Sequence, residues 1–274
     1  VPLLCGLMLL AAAAQAVTLK DRFDQTVPLR PGSAVRLSNV NGGVTFEAWD
    51  RNEVHIEAEK QVRAGSSDQA RKLMGQIKID VTSGPSGLRI DTRMPKREDG
   101  GFLADLFNGG GVSLGVSYKV HVPRQVALAI LNSNGALQVT GTQGNAHLET
   151  SNGSLTVQGV SGDLALKTSN GHISVAGSEG TVKAETSNGA IDAELTRYSG
   201  HELSFETSNG GVSIRLPRDA RFTVDAETSN GGVQSDFPVD GGKPGKRSLK
   251  GAVNGGGPTL YIRTSNGGVR IRES

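Results

Sequence analysis

The feature that most constrains this chain is a tetrapeptide that keeps returning. T-S-N-G, or a near copy, recurs with its asparagine at Asn134, Asn152, Asn170, Asn188, Asn209, Asn230 and Asn266. Successive steps are 18, 18, 18, 21, 21 and 36 residues, the last being twice 18. Self-similarity with a period near twenty residues is the mark of a stack of supersecondary units, none of which can bury its own apolar face alone.

Alternation around each asparagine gives the unit its form, because successive side chains of a strand point to opposite faces. Six residues before the asparagines lie Ala146, Leu164, Val182, Leu203, Val224 and Leu260, and four before lie Leu148, Leu166, Ala184, Phe205, Ala226 and Ile262. Two before is always threonine from Thr150 onward, and Leu155, Val157, Ile173, Val175, Ile191, Ala193, Val212 and Ile214 continue an inner face after the turn. Each unit therefore reads as two short strands joined at a Gly corner, where the glycine is expected to supply the positive φ of a turn. A second corner carries a G-x-x-G pair (Gly141 and Gly144, Gly159 and Gly162, Gly177 and Gly180), and the 21-residue units lengthen that side to LTRYSG and LPRDAR.

The same alternation places the threonines and asparagines inside, where an unpaired amide costs about 1–3 kcal/mol. The partner available to each asparagine is its equivalent one coil away, about 4.8 Å along the stack. The motif is thus expected to be a structural ladder; the alternative is that exposed Ser-Asn-Gly corners form a ligand-binding ridge. A left-handed hexapeptide helix fits poorly, since six after Leu155 is Ser161 and six after Ile173 is Glu179. The expected fold is all-β: a single-stranded right-handed β-solenoid with 18–21-residue coils and an N-terminal α+β elaboration.

The pattern appears once near the start, with Val35, Leu37, Asn39, Asn41, Val44 and Phe46 as a first coil. Residues 47–122 depart from it: VHIEAE alternates as a strand, Ser66-Ser67-Asp68 offers an N-cap to a short helix QARKLMGQ, and IKIDV and LRIDT flank a Gly-Pro turn as a hairpin. VSYKVHVP and VALAILN lead back to the repeats, and the interval after Asn230 holds FPVDGGKPGKRS, expected to be an irregular rung. The organisation is 1–16 signal peptide, 17–132 first coil plus elaboration, and 133–274 repeat solenoid.

Leu3 to Ala14 is too short to span a bilayer, and Ala14-Gln15-Ala16 supplies a small-x-small cleavage pattern, so export to the periplasm or cell surface is expected. The alternative is a buried apolar strand. Cys5 is the sole cysteine and lies in that run, so the mature chain has no thiol with which to build disulfides or thiolate metal sites. Lys plus Arg number 29 against 27 Asp plus Glu, with no dense basic run, which sets nucleic acid aside as a partner.

VRLSNVNGGVTFEAWDRNEVHIEAEK, SYKVHVP and the serial TSNG coils together resemble the bacterial putative-adhesin domain family of unknown function, built as a β-solenoid. The resemblance covers nearly the whole mature chain. It implies an exported envelope protein, with links to envelope stress in some relatives, and it brings no catalytic residues.

Candidate chemistry is thin. Gly111-Val112-Ser113-Leu114-Gly115 fits G-x-S-x-G, but a strand follows where a nucleophile elbow needs a helix. His55, His121, His147, His172 and His201 lack H-x-H or H-E-x-x-H spacing, so neither a metal nor any other cofactor is expected. Asn152-Gly153-Ser154 matches a glycosylation acceptor, but it is one ladder corner among seven. The outward column three before the asparagines reads Glu149, Lys167, Glu185, Glu206, Glu227 and Arg263; consecutive Glu185, Glu206 and Glu227 form either a solvated acidic stripe, a binding column or a site for a hard cation. Asp163, Asp192 and Asp225 occupy different positions, so no second acid joins that column to make a polysaccharide lyase or hydrolase, the enzymatic alternative. Envelope proteins or polysaccharides are the expected partners. Finally, Phe102, Leu103, Leu106 and Phe107 form a short amphipathic turn between glycines, expected either to cap the solenoid or to dock on a partner.

Overall fold

The computed structural model describes residues 16–95, 111–241 and 245–274; the apolar run 3–14, expected above to be the core of a signal peptide, and the expected amphipathic turn at 102–107 lie outside them. The N-terminal part comprises β1 (Val17–Pro28), β2 (Ala34–Ser38), β3 (Val44–Trp49), β4 (Glu53–Ala64), α1 (Ser67–Met74), β5 (Lys78–Gly84), β6 (Gly87–Arg93), β7 (Ser113–Pro123) and β8 (Ala127–Leu131). The repeats supply β9 (Leu137–Thr140), β10 (Ala146–Asn152), β11 (Leu155–Gln158), β12 (Leu164–Asn170), β13 (Ile173–Ala176), β14 (Val182–Asn188), β15 (Ile191–Glu194), β16 (Leu203–Asn209) and β17 (Val212–Leu216). The chain ends with β18 (Phe222–Asn230), β19 (Val233–Ser235), β20 (Ser248–Val253), β21 (Thr259–Asn266) and β22 (Val269–Glu273).

These strands form two long, mostly parallel sheets, consistent with a β-solenoid. The first runs β1-β4-β7-β3-β9-β11-β13-β15-β17-β22-β19 and the second β20-β18-β21-β16-β14-β12-β10-β8-β2-β6-β5. Register follows the repeat: Leu164 lies beside Ala146 and Val182, and Ile173 beside Leu155 and Ile191. The inner columns read from the sequence are buried, from Val35 and Phe46 towards one end to Val224 and Ala226 of β18 towards the other. Each such aliphatic side chain stabilises the stack by about 1.5–3 kcal/mol relative to exposure.

The corner motif works differently from the expectation in two respects. Threonine is buried, but all seven repeat asparagines are exposed, because serine and asparagine both face outward as the strand ends and alternation breaks. The ladder therefore runs along an outer edge. Nor does the repeat glycine after the asparagine need positive φ from Gly153 onward: a Cβ on Gly153, Gly171, Gly189, Gly210 or Gly267 would sit 1.9–2.1 Å from a glycine carbonyl oxygen of the neighbouring coil. Only glycine lets backbones stack this closely. The second corner does use positive φ, as at Gly159 (φ 61°) and Gly162 (φ 143°).

The buried threonines have a defined task. Thr168, Thr186, Thr207 and Thr264 donate through Oγ1 to the carbonyls of Gly153, Gly171, Gly189 and Gly210 at 2.9–3.1 Å. In the first two coils asparagine replaces threonine: Asn39 Nδ2 donates to Val116 O and Asn132 Nδ2 to Gly42 O, both at 3.0 Å.

The 36-residue step is not an added irregular rung. β18 skips one position; β20 pairs antiparallel along its outer side, and β21 and β22 then return to fill the gap between β16 and β18 and between β17 and β19. Asn266 is consequently interior to the ladder, and Asn230 is its terminal member.

The N-terminal elaboration extends both sheets. β4 lies antiparallel between β1 and β7, and β5 and β6 form the expected hairpin, with β6 parallel to β2. Ser66 caps α1 by accepting from the Gln69 N–H at 3.2 Å, and Ala70 and Leu73 are buried as the helix packs on β1 and β4. At the opposite end Phe222 meets Phe237 edge to face at 5.4 Å and Tyr198 at 6.4 Å, filling the space between the sheets with aromatic rings.

Candidate functional site

Repetition presents the same outward side chains at every strand, so a site on this fold is a set of columns. On the second sheet, the asparagine column is a continuous amide chain: Asn134 donates to Asn41, Asn152 to Asn134, Asn170 to Asn152, Asn188 to Asn170, Asn209 to Asn188, Asn266 to Asn209 and Asn230 to Asn266, all at 2.7–2.9 Å. Every Nδ2 in the repeats is occupied by the next Oδ1, which makes the asparagines a structural spine despite their exposure.

Beside that spine lies a shallow groove of about 490 Å³, floored by the serine column and walled by the column three before the asparagines. The wall reads Lys167, Glu185, Glu206, Arg263, Glu227 in space. Glu185 and Glu206 are neighbours as expected, but Arg263 separates Glu206 from Glu227, so the three glutamates do not form a continuous acidic stripe. The cause is the return of β21 into the gap left by β18. Arg263 is held in place: its Nη2 donates to Asp225 Oδ1 at 2.8 Å, its Nη1 to the carbonyls of Asp225 and Ile262, and its guanidinium lies 4.3 Å from the Tyr261 ring centre. Partial burial works to raise the Asp225 pKa; hydrogen bonds and charge from Arg263 and Lys250 outweigh it, and the net pKa is lowered. Further along the same wall Glu185 is paired from outside the groove, Lys183 Nζ reaching its Oε1 at 2.8 Å, a contact that raises the lysine pKa.

A second cluster, missed in reading the sequence, lies on the outer face of the first sheet. The antiparallel pairing of β4 with β7 sets His55 beside His121, and β3 brings Trp49 alongside. The three rings cluster in a triangle, with centres 5.2 Å apart for Trp49 and His121, 6.1 Å for His121 and His55, and 6.2 Å for Trp49 and His55. Each histidine stands between two buried aliphatic residues of an alternating strand, Val54-His55-Ile56 and Val120-His121-Val122; that shared phase was the signal, but which strands pair was not readable. The G-x-S-x-G serine, Ser113, opens β7 opposite Arg63, and no helix follows it.

No helix among the described residues is long and apolar enough to cross a membrane. A family model described as Toastrack DUF4097 matches residues 37–272. Similar solved structures include a putative cell adhesion protein from Clostridium sporogenes ATCC 15579, at 11% identity over 93% of this chain and 100% of that one with a TM-score of 0.40. A putative adhesin from Bacteroides fragilis NCTC 9343 shares 8% identity over 93% and 97% of the two chains, TM-score 0.40. A putative adhesin from Parabacteroides merdae ATCC 43184 shares 12% identity over 92% and 96%, TM-score 0.24. No curated protein matches the chain.

Proposed function

The chain belongs to the Toastrack DUF4097 family, and from that premise we propose that it is an exported, non-enzymatic binding or scaffold module of the bacterial envelope, adhesin-like, that holds an extended polymer along its stack. A right-handed path and a coil of 18–21 residues belong to the same proposal. So does a link to envelope stress. The observation that carries it is the groove beside the asparagine spine: Ser169, Ser187, Ser208, Ser265 and Ser229 repeat along its floor, about 4.8 Å apart, beside a wall of mixed charge. A floor of hydroxyls beside a wall that carries both signs of charge suits a neutral, hydroxyl-rich polysaccharide or an extended peptide better than a strongly charged polymer.

The test is a binding panel of envelope and plant polysaccharides against the wild type and Ser187→Tyr/Ser208→Tyr, which fills the groove without touching the spine. Binding abolished at unchanged melting temperature supports the proposal; unchanged binding rejects the groove. Glu185 and Glu206, the adjacent carboxylates, keep one enzymatic alternative in view, a polysaccharide lyase or hydrolase. Turnover of any panel member that disappears in Glu185→Gln or Glu206→Gln would replace the scaffold by that enzyme.

A further inference from the structure

We propose that Asp24, His55 and Glu57 form a binding site for a divalent transition-metal ion, with Zn²⁺ the representative, on the outer face of β1 and β4. The sequence separates Asp24 from the other two and offers no metal motif. The sheet assembles the set: Asp24 is the register partner of Glu57, and Thr26 that of His55.

The geometry fits a metal better than an ordinary ion pair in three ways. First, the donor atoms converge on a point: His55 Nε2 lies 3.3 Å from Glu57 Oε1 and 3.7 Å from Asp24 Oδ2, and the three ligand atoms all lie within 4.8 Å of one another. Ligands about 2.0–2.1 Å from a tetrahedral zinc stand about 3.3 Å apart, so the set closes on an ion with a small movement of Asp24. Second, the histidine is aimed. Its Nδ1 sits 3.0 Å from Thr26 Oγ1, so an Nδ1–H donated to that hydroxyl leaves the Nε2 lone pair directed at the two carboxylates. An outer partner that fixes the tautomer in this way is what metal-bound histidines use. Third, the ring is held by stacking on His121, whose Nε2 and neighbour Lys119 are engaged by Glu47 at 3.3 and 3.4 Å, so Lys119, the register partner of Glu57, is paired with Glu47 instead.

One imidazole and two carboxylates supply two negative charges, which neutralise a divalent ion and leave open positions for water. The mixed nitrogen and oxygen donors favour Zn²⁺ and its first-row neighbours over Ca²⁺, which takes six to eight oxygens. Bound there, the ion ties edge strand β1 to β4, at the end of the sheet where pairing stops.

Isothermal titration of the purified chain (residues 17–274) with zinc chloride in a non-chelating buffer tests this. One zinc per chain is expected, with affinity reduced by about 10-fold or more in His55→Ala and Asp24→Asn and by about 10-fold in Thr26→Val, which removes only the orienting hydroxyl. Calcium at the same concentrations is expected to give no heat. His147→Ala and His172→Ala, each beside a carboxylate elsewhere on the surface, are expected to leave the titration unchanged. Independently of any variant, zinc should shift the ¹⁵N resonance of His55 Nε2 and slow amide exchange in β1. The proposal is overturned if zinc does not bind, if the His55 resonance does not move, if calcium competes equally, or if the His147 or His172 variant removes the binding.

Discussion

The middle of the stack and its two ends obey different rules. From β10 to β16 every strand is parallel, every repeat asparagine both gives and receives an amide hydrogen bond, and one motif serves each rung. At the ends the pairing turns antiparallel: β1 on β4 and β5 on β6 at one end, β20 on β18 at the other. A parallel rung always leaves an edge on which another identical rung can add, and repetition carries no instruction to stop. The stop comes from sequence that breaks the repeat. β1 presents Lys20, Asp21, Arg22 and Asp24, with Lys20 and Asp21 paired to Glu59 and Lys60 of β4. At the far end, the first sheet finishes on β19, only three residues long. The ends are unlike each other as well, the first covered by a helix and the second filled by aromatic rings.

The contrast breaks most readily at a middle corner. In Gly189→Ala the new Cβ would lie 2.0 Å from the Gly171 carbonyl oxygen, and backbone cannot yield as a side chain does. The expected loss exceeds about 3 kcal/mol in denaturant melts. Gly159→Ala meets nothing within 4 Å and bears only the strain of its positive φ, about 1–2 kcal/mol.

The next largest effect separates the ends by pH. Tyr118, buried near the N-terminal end and within 2.6 Å of Thr92 Oγ1, has its pKa pushed up to about 12 by burial. A folded pKa above the unfolded value means stability present below pH ~10 and lost as pH rises toward 12. The alkaline loss should reach about 2 kcal/mol, and Tyr118→Phe should flatten that limb. Asp225 at the C-terminal end has the opposite sign. Its depressed pKa gives stability present above the ordinary carboxylate range and lost as pH falls through the folded value, so Asp225→Asn should flatten the acid limb alone. Hydrogen exchange followed at both extremes should show alkali opening β6 and β7 first and acid opening β18 and β21 first.

Thr186→Val preserves shape but leaves the Gly171 carbonyl without its buried donor, and should cost about 1–2 kcal/mol. The smallest effect is on the spine. Asn170→Ala removes two exposed amide bonds and Asn230→Ala one, so the former should cost about 1 kcal/mol and the latter about half as much.

Much of the middle was legible because a fixed period turns sequence into columns. Leu148, Leu166 and Ala184 could be placed in one buried file without knowing anything else, and the asparagine ladder followed. Columns, however, give the face of a residue and not its neighbours. Arg263 belongs to the same column as Glu206 and Glu227, yet nothing in the alternation says that its strand follows β18 in sequence but lies between β16 and β18 in space. The exposure of the asparagines escaped for a related reason: parity holds within a strand and fails at its end. The glycines were read for conformational freedom, whereas the 1.9 Å approach at Gly171 is a property of two coils together. The Asp24, His55 and Glu57 cluster was least visible, because it depends on an antiparallel pairing outside the repeat.

The spatial order of the spine, Asn209 to Asn266 to Asn230, can be measured directly by double-mutant cycles with alanine. Asn209 and Asn266 are bonded at 2.8 Å, as are Asn266 and Asn230 at 2.9 Å, while Asn209 and Asn230 lie on strands separated by β21. The coupling is expected to be about 0.5–1 kcal/mol for the 209–266 and 266–230 pairs and nil within error for 209–230. Coupling between Asn209 and Asn230 with none between Asn209 and Asn266 would mean that the rungs stack in sequence order, and would contradict that spatial order.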